Sequence, residues 1–401
     1  MTTPPVSPLP VHGTVPLRAR WEQWMQELVE NPQEVTALTS RYGSPVNVLN
    51  PAPLRHNAQE LLDAGASHDV KTRVFFARKA NKALCFVDAA RESGLGVDVA
   101  SENELRQVLE RDVAPERIIL SAAIKSDGLL RLAISRGVTI SCDSRAECGR
   151  IAAIARALET TARVAPRLAP DPDALPPTRF GERLPIWQET EWPADLRAVG
   201  VHVHLHGYSE ADRRTALAEA IALVEHLRAM NQPANFIDIG GGVPMSYLES
   251  REQWENYTAR ISAQRAGTGA PFTWKSDPLS NTYPFWQEPT RGQWLNQLLS
   301  GEVPGYGNAG GALRERDIAL HLEPGRSLLD GCGVILAEVS FLKERSDGLP
   351  LIGVAMNRTQ CRTAADDILL DPLLVPTAGS AKEVSRERRT GFVVGAYCIE
   401  D

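Results

Sequence analysis

A chain of 401 residues, 43% hydrophobic and 23% charged, is long enough for one large domain plus a smaller one and has the balance of a globular protein. Its net charge of −7 and pI near 5.7 give no basic footprint for nucleic acid or an anionic membrane. Six cysteines without metal-ligand spacing, a Pro-rich start lacking an apolar core, and no apolar run near 18 residues argue against a disulfide scaffold, a metal cluster, a secretory leader or a membrane span, so a cytoplasmic protein is expected.

Residues 1–43 read as a tail followed by helical patterns around Trp21–Val29 and Val35–Tyr42, and Ser44–Leu49 reads as a short strand. From there, apolar β-branched runs alternate with helix-period stretches. Strands are predicted at Arg73–Ala77, Gly96–Val99, Ile118–Leu120, Val138–Cys142, Arg163–Leu168, Val199–Leu205, Phe236–Ile239 and Ile318–Leu322. The helices between them include Ala83–Ser93, Glu102–Arg111, Ser126–Arg136, Ser144–Leu158 and Ala211–Met230. Ser101 with Glu104 has capping-box spacing, and Asp143-Ser144 offers another N-cap. Eight strands alternating with helices is the count of a (β/α)8 barrel, although an open doubly wound sheet gives the same alternation.

Two stretches break the rhythm. Pro170–Trp192 is proline-rich and reads as a long loop. Thr268–Leu313 is rich in Gly, Pro and Asn, with Phe272, Trp274, Tyr283, Phe285, Trp286 and Trp294 clustered in it, and is expected as an ordered insertion. The runs Gly333–Leu342, Leu351–Met356 and Gly391–Tyr397 predict a β domain over 326–401 that takes in the strand near Val46, leaving 44–325 as the barrel.

Reactive residues follow the predicted strands one after another: Lys79, then Asp98 and Ser101, Ser121, Asp143, Arg167, the histidines 202, 204 and 206, Gly240-Gly241-Gly242, and Glu323 with Arg326. In a barrel these positions share one mouth. A lone lysine near a strand end is usually a snorkelling surface residue. Lys79, following Val74-Phe75-Phe76-Ala77, is expected among apolar neighbours that lower its pKa and free its amine for imine formation. The glycine triplet either lets backbone approach a phosphate or makes a plain tight turn. His202, His204 and His206 alternate onto one strand face, where they fit metal ligation, ring stacking or ordinary core packing equally. Glu323 can face a pyridine nitrogen, and Arg326 offers a fork for phosphate or carboxylate; a structural ion pair between them is the plainer reading. Cys361 is either a buried inert thiol, the usual fate of a lone cysteine, or, between Arg358 and Arg362, one whose surroundings favour thiolate. Tyr397 can donate to phosphate or simply pack.

Together, Phe76-Ala77-Arg78-Lys79-Ala80-Asn81, Gly96-Val97-Asp98-Val99-Ala100-Ser101, Arg167-Leu168-Ala169-Pro170, Gly200-Val201-His202-Val203-His204, Asp238-Ile239-Gly240-Gly241-Gly242 and Glu323-Pro324-Gly325-Arg326 resemble the fold-type III pyridoxal-phosphate decarboxylases, which include diaminopimelate, ornithine and arginine decarboxylases. The resemblance runs from about Ser44 to Tyr397. It implies an alanine-racemase-like TIM barrel with a C-terminal β domain, pyridoxal 5'-phosphate as cofactor, no metal, and a homodimer with shared active sites. By the same resemblance Lys79 is the Schiff-base lysine and His204 stacks on the ring. Asp98 joins the cofactor site, Gly240, Gly241, Gly242, Ser209, Arg326 and Tyr397 hold phosphate, and Glu323 pairs with the ring nitrogen. Cys361 returns a proton from the partner subunit, and Arg167 and Arg362 face the substrate. An amino acid would displace Lys79 from the cofactor, lose CO2 and be reprotonated.

The chain departs from the family at several points. Arg362 stands where Glu or Asp commonly meets a distal ammonium, which points to a substrate whose distal group is anionic or neutral. His206-Gly207-Tyr208-Ser209 shifts the phosphate-binding serine, and Ala169 replaces an asparagine. The chain ends four residues after Tyr397, where the family usually continues, so the β domain is expected to be either a shortened form or incomplete. Alternatives are a racemase or epimerase on the same fold, a cofactor-binding protein without turnover, and a metal-dependent hydrolase using the three histidines. Glu323 favours decarboxylation over racemisation, because racemases of this fold place arginine at the ring nitrogen.

Overall fold

The computed structural model describes residues 9–280, 282–361, 370–377 and 390–398. By its internal contacts the chain forms two compact units. One comprises residues 51–245 and 288–330, the other residues 1–50, 246–287 and 331–401. The expected insertion at 268–313 is therefore divided, its first part lying in the second unit and its remainder in the first.

The first unit is a parallel barrel. Its strands are β1 (Thr72–Ala77), β2 (Gly96–Val99), β3 (Ile118–Leu120), β4 (Thr139–Cys142), β5 (Ala162–Pro166), β6 in two segments (Leu196–Ala198 and Val201–His202), β7 (Phe236–Asp238) and β8 (Ala319–Leu322). Each pairs in parallel with its neighbour in sequence, and β8 pairs with both β7 and β1. The two segments of β6 complete the ring: the first pairs with β5 and the second with β7. A parallel bridge between Arg167 and His202, with the Leu168 N–H donating to the His202 carbonyl at 2.8 Å, joins β5 to the second segment. The alternation thus resolves into the closed barrel rather than the open sheet.

These strands form because their residues are apolar on both faces. Val74, Phe76, Val97, Val99, Leu120, Ile140 and Val164 are all buried, as parallel strands require. Helices fill the crossovers, and hydroxyl caps fix their starts: Ser101 accepts from the Glu104 N–H, Ser126 from Leu129 and Ser144 from Glu147. Helices over Ala52–Ser67, Arg291–Ser300 and Ala309–Glu315 lie where no helix is expected from sequence. The last two fall within the supposed insertion. There Trp294, Leu295, Leu298 and Leu299 recur at helical spacing and are buried, a pattern masked by the surrounding Gly and aromatic residues.

Inside the barrel, Phe75, Phe236 and His321 form an aromatic layer. The His321 ring stacks on Phe236 with centroids 4.1 Å apart and lies 5.1 Å from Phe75. Two glycines make room for it. A Cβ at Gly96 would come within 2.3 Å of the Phe75 ring, and one at Gly200 within 2.6 Å of Phe236.

In the second unit, Val46–Leu49 pairs antiparallel with Gly333–Leu336, and Leu28, Val35, Val46 and Leu336 form a small core. Val339–Glu344, Pro350–Val354 and Phe392–Val394 form a three-stranded sheet. The aromatics of 246–287 pack on one another: Phe285 contacts Tyr247, Trp254 and Tyr283, and Tyr257 stacks on Trp254. Among the described residues no helix is long and apolar enough to cross a membrane.

Replacing Gly96 by valine is expected to destabilise the protein by about 1–3 kcal/mol through overpacking against Phe75, read as a lower denaturant midpoint with unchanged slope.

Candidate active site

The C-terminal strand ends bring together seven ionisable side chains: Lys79, Asp98, Arg167, His202, His204, Asp238 and Glu323. Lys79 sits in a single 3-10 turn after β1, Arg78–Ala80. Arg78, itself buried, anchors that turn by donating to the Glu104 carbonyl at 2.9 Å and to the Lys82 carbonyl at 3.3 Å. The Lys79 side chain is half exposed, 51%, with Nζ 3.7 Å from Asp98 Oδ2. Asp98 also accepts from Ser121 Oγ at 2.5 Å.

The expected lowering of the Lys79 pKa is not found. Burial pulls the amine down, but Asp98, Glu323 and Asp238 together outweigh burial and Arg167, and the net shift is upward. The sequence shows apolar residues before Lys79. It does not show that three carboxylates from other strands converge on the amine.

Those carboxylates are buried, and their pKa values are raised as well, toward the neutral form. Burial pushes Glu323 well above the carboxylate range, with Asp98 and Asp238 adding to the effect. At 1% exposure, neither Glu323 oxygen has a hydrogen-bond partner, and His202 Nε2 lies 3.9 Å from Oε1. Burial likewise raises Asp98, more than Lys79 and Ser121 draw it down. Asp238, which accepts from the Gly240 N–H at 2.8 Å, is raised by burial to about 7.

The expected histidine row is only partly formed. His202 and His204 converge, but β6 ends at His202, so the alternation does not carry on and His206 is exposed. His202 Nδ1 meets Ser141 Oγ at 2.5 Å, and burial holds its pKa far below the usual value. His204, lowered to about 3 by burial and then by Lys79 and Arg167, is neutral. His202, His204 and Glu323 each place one donor atom within 4.8 Å of the others, a set that differs from the expected histidine trio and is of a size to hold a cation.

The glycine triplet follows β7 directly. Gly240 and Gly242 have φ of +68° and +71°, and a Cβ at Gly240 would lie 2.2 Å from His204 Nδ1. Gly241 N–H donates to that nitrogen at 3.3 Å. Arg213, absent from the sequence-based set, underpins the loop. At 1% exposure its Nη2 donates to the carbonyls of Gly241 at 2.8 Å, Gly207 at 3.0 Å and Gly242 at 3.3 Å, while Nη1 donates to Ser209 at 3.0 Å. Burial lowers its pKa to about 10, so the guanidinium stays charged. Arg213 draws the loop carbonyls toward itself and adds positive charge beneath the glycines, as an anion cradle needs.

Arg167 is buried, 3.4 Å from Asp143 and stacked on Phe180 at 4.3 Å. Ser209 caps the helix Glu210–Ala229, its hydroxyl accepting from the Asp212 N–H at 3.1 Å. Arg326 lies half-buried in the turn after β8. Tyr397 belongs to the second unit, where its hydroxyl is 3.0 Å from Thr359 Oγ1. Cys361 ends a four-residue helix in that unit; its side chain and the whole of Arg362 lie outside the described residues.

A carboxyl near 3.9 when unfolded and near 7 when folded contributes stability that is complete below about pH 4 and lost as pH rises through about 7. The ligand-free protein is expected to lose thermal stability over that window through Asp238. Asp238→Asn should flatten the decline in unfolding midpoints measured across a pH series.

A lysine amine at the mouth, a braced glycine cradle, a neutral imidazole face and a buried carboxyl without a hydrogen-bond partner fit a phosphorylated aldehyde with a basic ring nitrogen. The family model for the pyridoxal-dependent decarboxylase, pyridoxal binding domain, matches residues 55–271, more than half of the chain. The chain is 28% identical over 371 residues to uncharacterized protein y4yA of Sinorhizobium fredii, covering 90% of this chain and 78% of that protein. It is 24% identical over 383 residues to the diaminopimelate decarboxylase of Zymomonas mobilis, covering 90% and 77%. Among solved structures, the diaminopimelate decarboxylase of M. jannaschii in complex with L-lysine superposes with a TM-score of 0.64 at 19% identity, over 91% of this chain and 78% of that one. The lysine decarboxylase of Selenomonas ruminantium gives 0.60 at 19% identity, over 86% and 77%. The chain belongs to the fold-type III pyridoxal-phosphate-dependent decarboxylase family, with an alanine-racemase-like barrel and pyridoxal phosphate as its cofactor.

Proposed function

We propose that this protein removes the α-carboxylate of an amino acid or amino-acid conjugate, with Lys79 as the cofactor-bearing residue, and that it works as a homodimer. The observation that carries the reading is Glu323: a fully buried carboxyl whose two oxygens have no hydrogen-bond partner. It suits a ring N–H, and a proton held there keeps the cofactor electron-withdrawing. Bound pyridoxal phosphate supplies the electron sink for the pair left behind when CO2 departs.

The chain's own residues supply the rest. Lys79, held protonated by its carboxylate neighbours, must give up a proton before its amine can react, and Asp98 at 3.7 Å is the acceptor at hand. His204, neutral at any working pH, offers a flat apolar face without competing for a proton. Arg213 keeps the glycine cradle in shape from below. Arg167, charged and within the electrostatic reach of Lys79 and Glu323, is suited to a substrate carboxylate. Return of a proton by Cys361 of a partner subunit rests on the family resemblance, as do the phosphate contacts assigned to Arg326, Tyr397 and Ser209. With Arg362 following Cys361, we assign a distal substrate group that is anionic or neutral.

The holoprotein is expected to absorb near roughly 420 nm, with the band bleached by borohydride and lost in Lys79→Ala. Screening amino acids, acidic and carboxylated conjugates included, for CO2 release tests the reaction. Efficient turnover of lysine or meso-diaminopimelate would overturn the assignment of the distal group, and loss of optical activity without CO2 would overturn decarboxylation. Glu323→Gln should lower CO2 release by about 100-fold or more while the band at 420 nm persists. Arg213→Met, which leaves four backbone carbonyls without their donor, should weaken cofactor binding at least about tenfold, measured by titrating the apoprotein with cofactor.

A further inference from the structure

The barrel has a second mouth. Beneath the Phe75–His321–Phe236 layer, at the N-terminal ends of the strands, lies a cavity of about 580 Å³, within the ~300–1,000 Å³ range usual for small-molecule sites. Arg73 of β1 and Arg163 of β5 both line it. In a closed ring of eight strands β1 and β5 are diametrically opposite, so the two arginines line the opening from opposite sides. Arg73 precedes inward-facing Phe75 by two residues, and Arg163 precedes Arg167 by four, which puts both on the interior face. A smaller adjoining cavity of about 260 Å³ shares Arg163 and Asn235 and adds Arg197, the register partner of Arg163.

Charge in this mouth does not balance. Lys71 is paired with Asp317 at 2.6 Å, and Glu116 is the one other carboxylate lining the larger cavity. Arg73 and Arg163 therefore share the larger cavity with one carboxylate outside that pair, Glu116, and the residues lining the smaller cavity, which adds Arg197, include no carboxylate. The inner wall adds a second observation: His321, 5% exposed, lines the cavity while its Nδ1 has no hydrogen-bond partner. Burial and Arg73 hold this imidazole at a pKa of about 3, so it is neutral and closes the inner end of the cavity without adding charge.

We propose that the N-terminal mouth of the barrel binds a small multivalent oxyanion, held between Arg73 and Arg163 with the His321 imidazole beneath it. Arginine forks match the geometry of carboxylate and phosphate groups alike, so the recognised chemistry is two or more anionic oxygens on a compact molecule. None of the residues lining this mouth belongs to the candidate active site at the other end of the strands.

The test uses the cofactor-loaded protein, so that the glycine cradle is filled and added phosphate cannot enter it. Citrate and inorganic phosphate are titrated in separate calorimetric experiments at ionic strength fixed with chloride. One saturable site per chain is expected for at least one of them; citrate alone identifies a polycarboxylate ligand, phosphate alone a phosphorylated one. Arg73→Gln and Arg163→Gln should each weaken binding tenfold or more, leaving the 420 nm band and CO2 release unchanged. Asn235→Leu, which narrows both cavities without altering charge, should weaken it as well and serves if an arginine variant does not fold. Absence of saturable binding by the wild type, or equal affinity in the variants, would overturn the proposal.

Discussion

The site is organised around a buried carboxyl group that the protein leaves without a hydrogen-bond donor. An ionised Glu323 at 1% exposure with no donor would be costly, on the order of several kcal/mol, so the group holds its proton until a partner arrives. Asp98 and Asp238 sharpen the demand, since each disfavours a further negative charge nearby. Lys79 and Arg167 offset only part of it. The chain's own residues thus leave the centre of the site short of positive charge, and a protonated ring nitrogen meets that need. The same proton that Glu323 shelters is the one such a nitrogen requires.

That arrangement depends on a dry floor. Phe75, Phe236 and His321 close the barrel beneath the charged layer, and Gly96 and Gly200 exist to admit the two phenyl rings. A low local dielectric makes each ionic contact above the floor stronger and each unmet one more expensive. It also stands as a physical partition between the two ends of the barrel. The glycine cradle is built similarly, from backbone that only Gly can adopt and a buried arginine that fixes its carbonyls.

Much of this was legible in the sequence. Parallel strands covered on both sides read as short apolar runs, and seven of the eight barrel strands were located in that way, while the sixth, expected as one run over Val199–Leu205, is two segments, Leu196–Ala198 and Val201–His202. The polar residue just past each run then fell into place at one mouth by topology alone. Arg213 was not legible: it sits one turn inside an ordinary helix, and only folding brings it beneath Gly241. The helices at Arg291–Ser300 and Ala309–Glu315 were hidden among glycines and aromatics that read as loop. For Lys79 the local sequence was misleading, because the groups that set its pKa come from β2, β7 and β8. The histidine row failed for a simpler reason: period-2 geometry stops where the strand stops, at His202.

The seam of the barrel lies between β5 and the second segment of β6, where Arg167 and His202 share the one bridge and Leu168 donates to the His202 carbonyl. The residue whose backbone completes the ring therefore also carries the guanidinium that faces Lys79 and Glu323. Mechanical closure and chemical occupancy meet at a single rung. A ligand held by the Arg167 side chain would load the same rung that closes the ring. The exchange rate of the Leu168 amide proton is then a gauge of whether the site is filled, read from the wall of the barrel rather than from its contents.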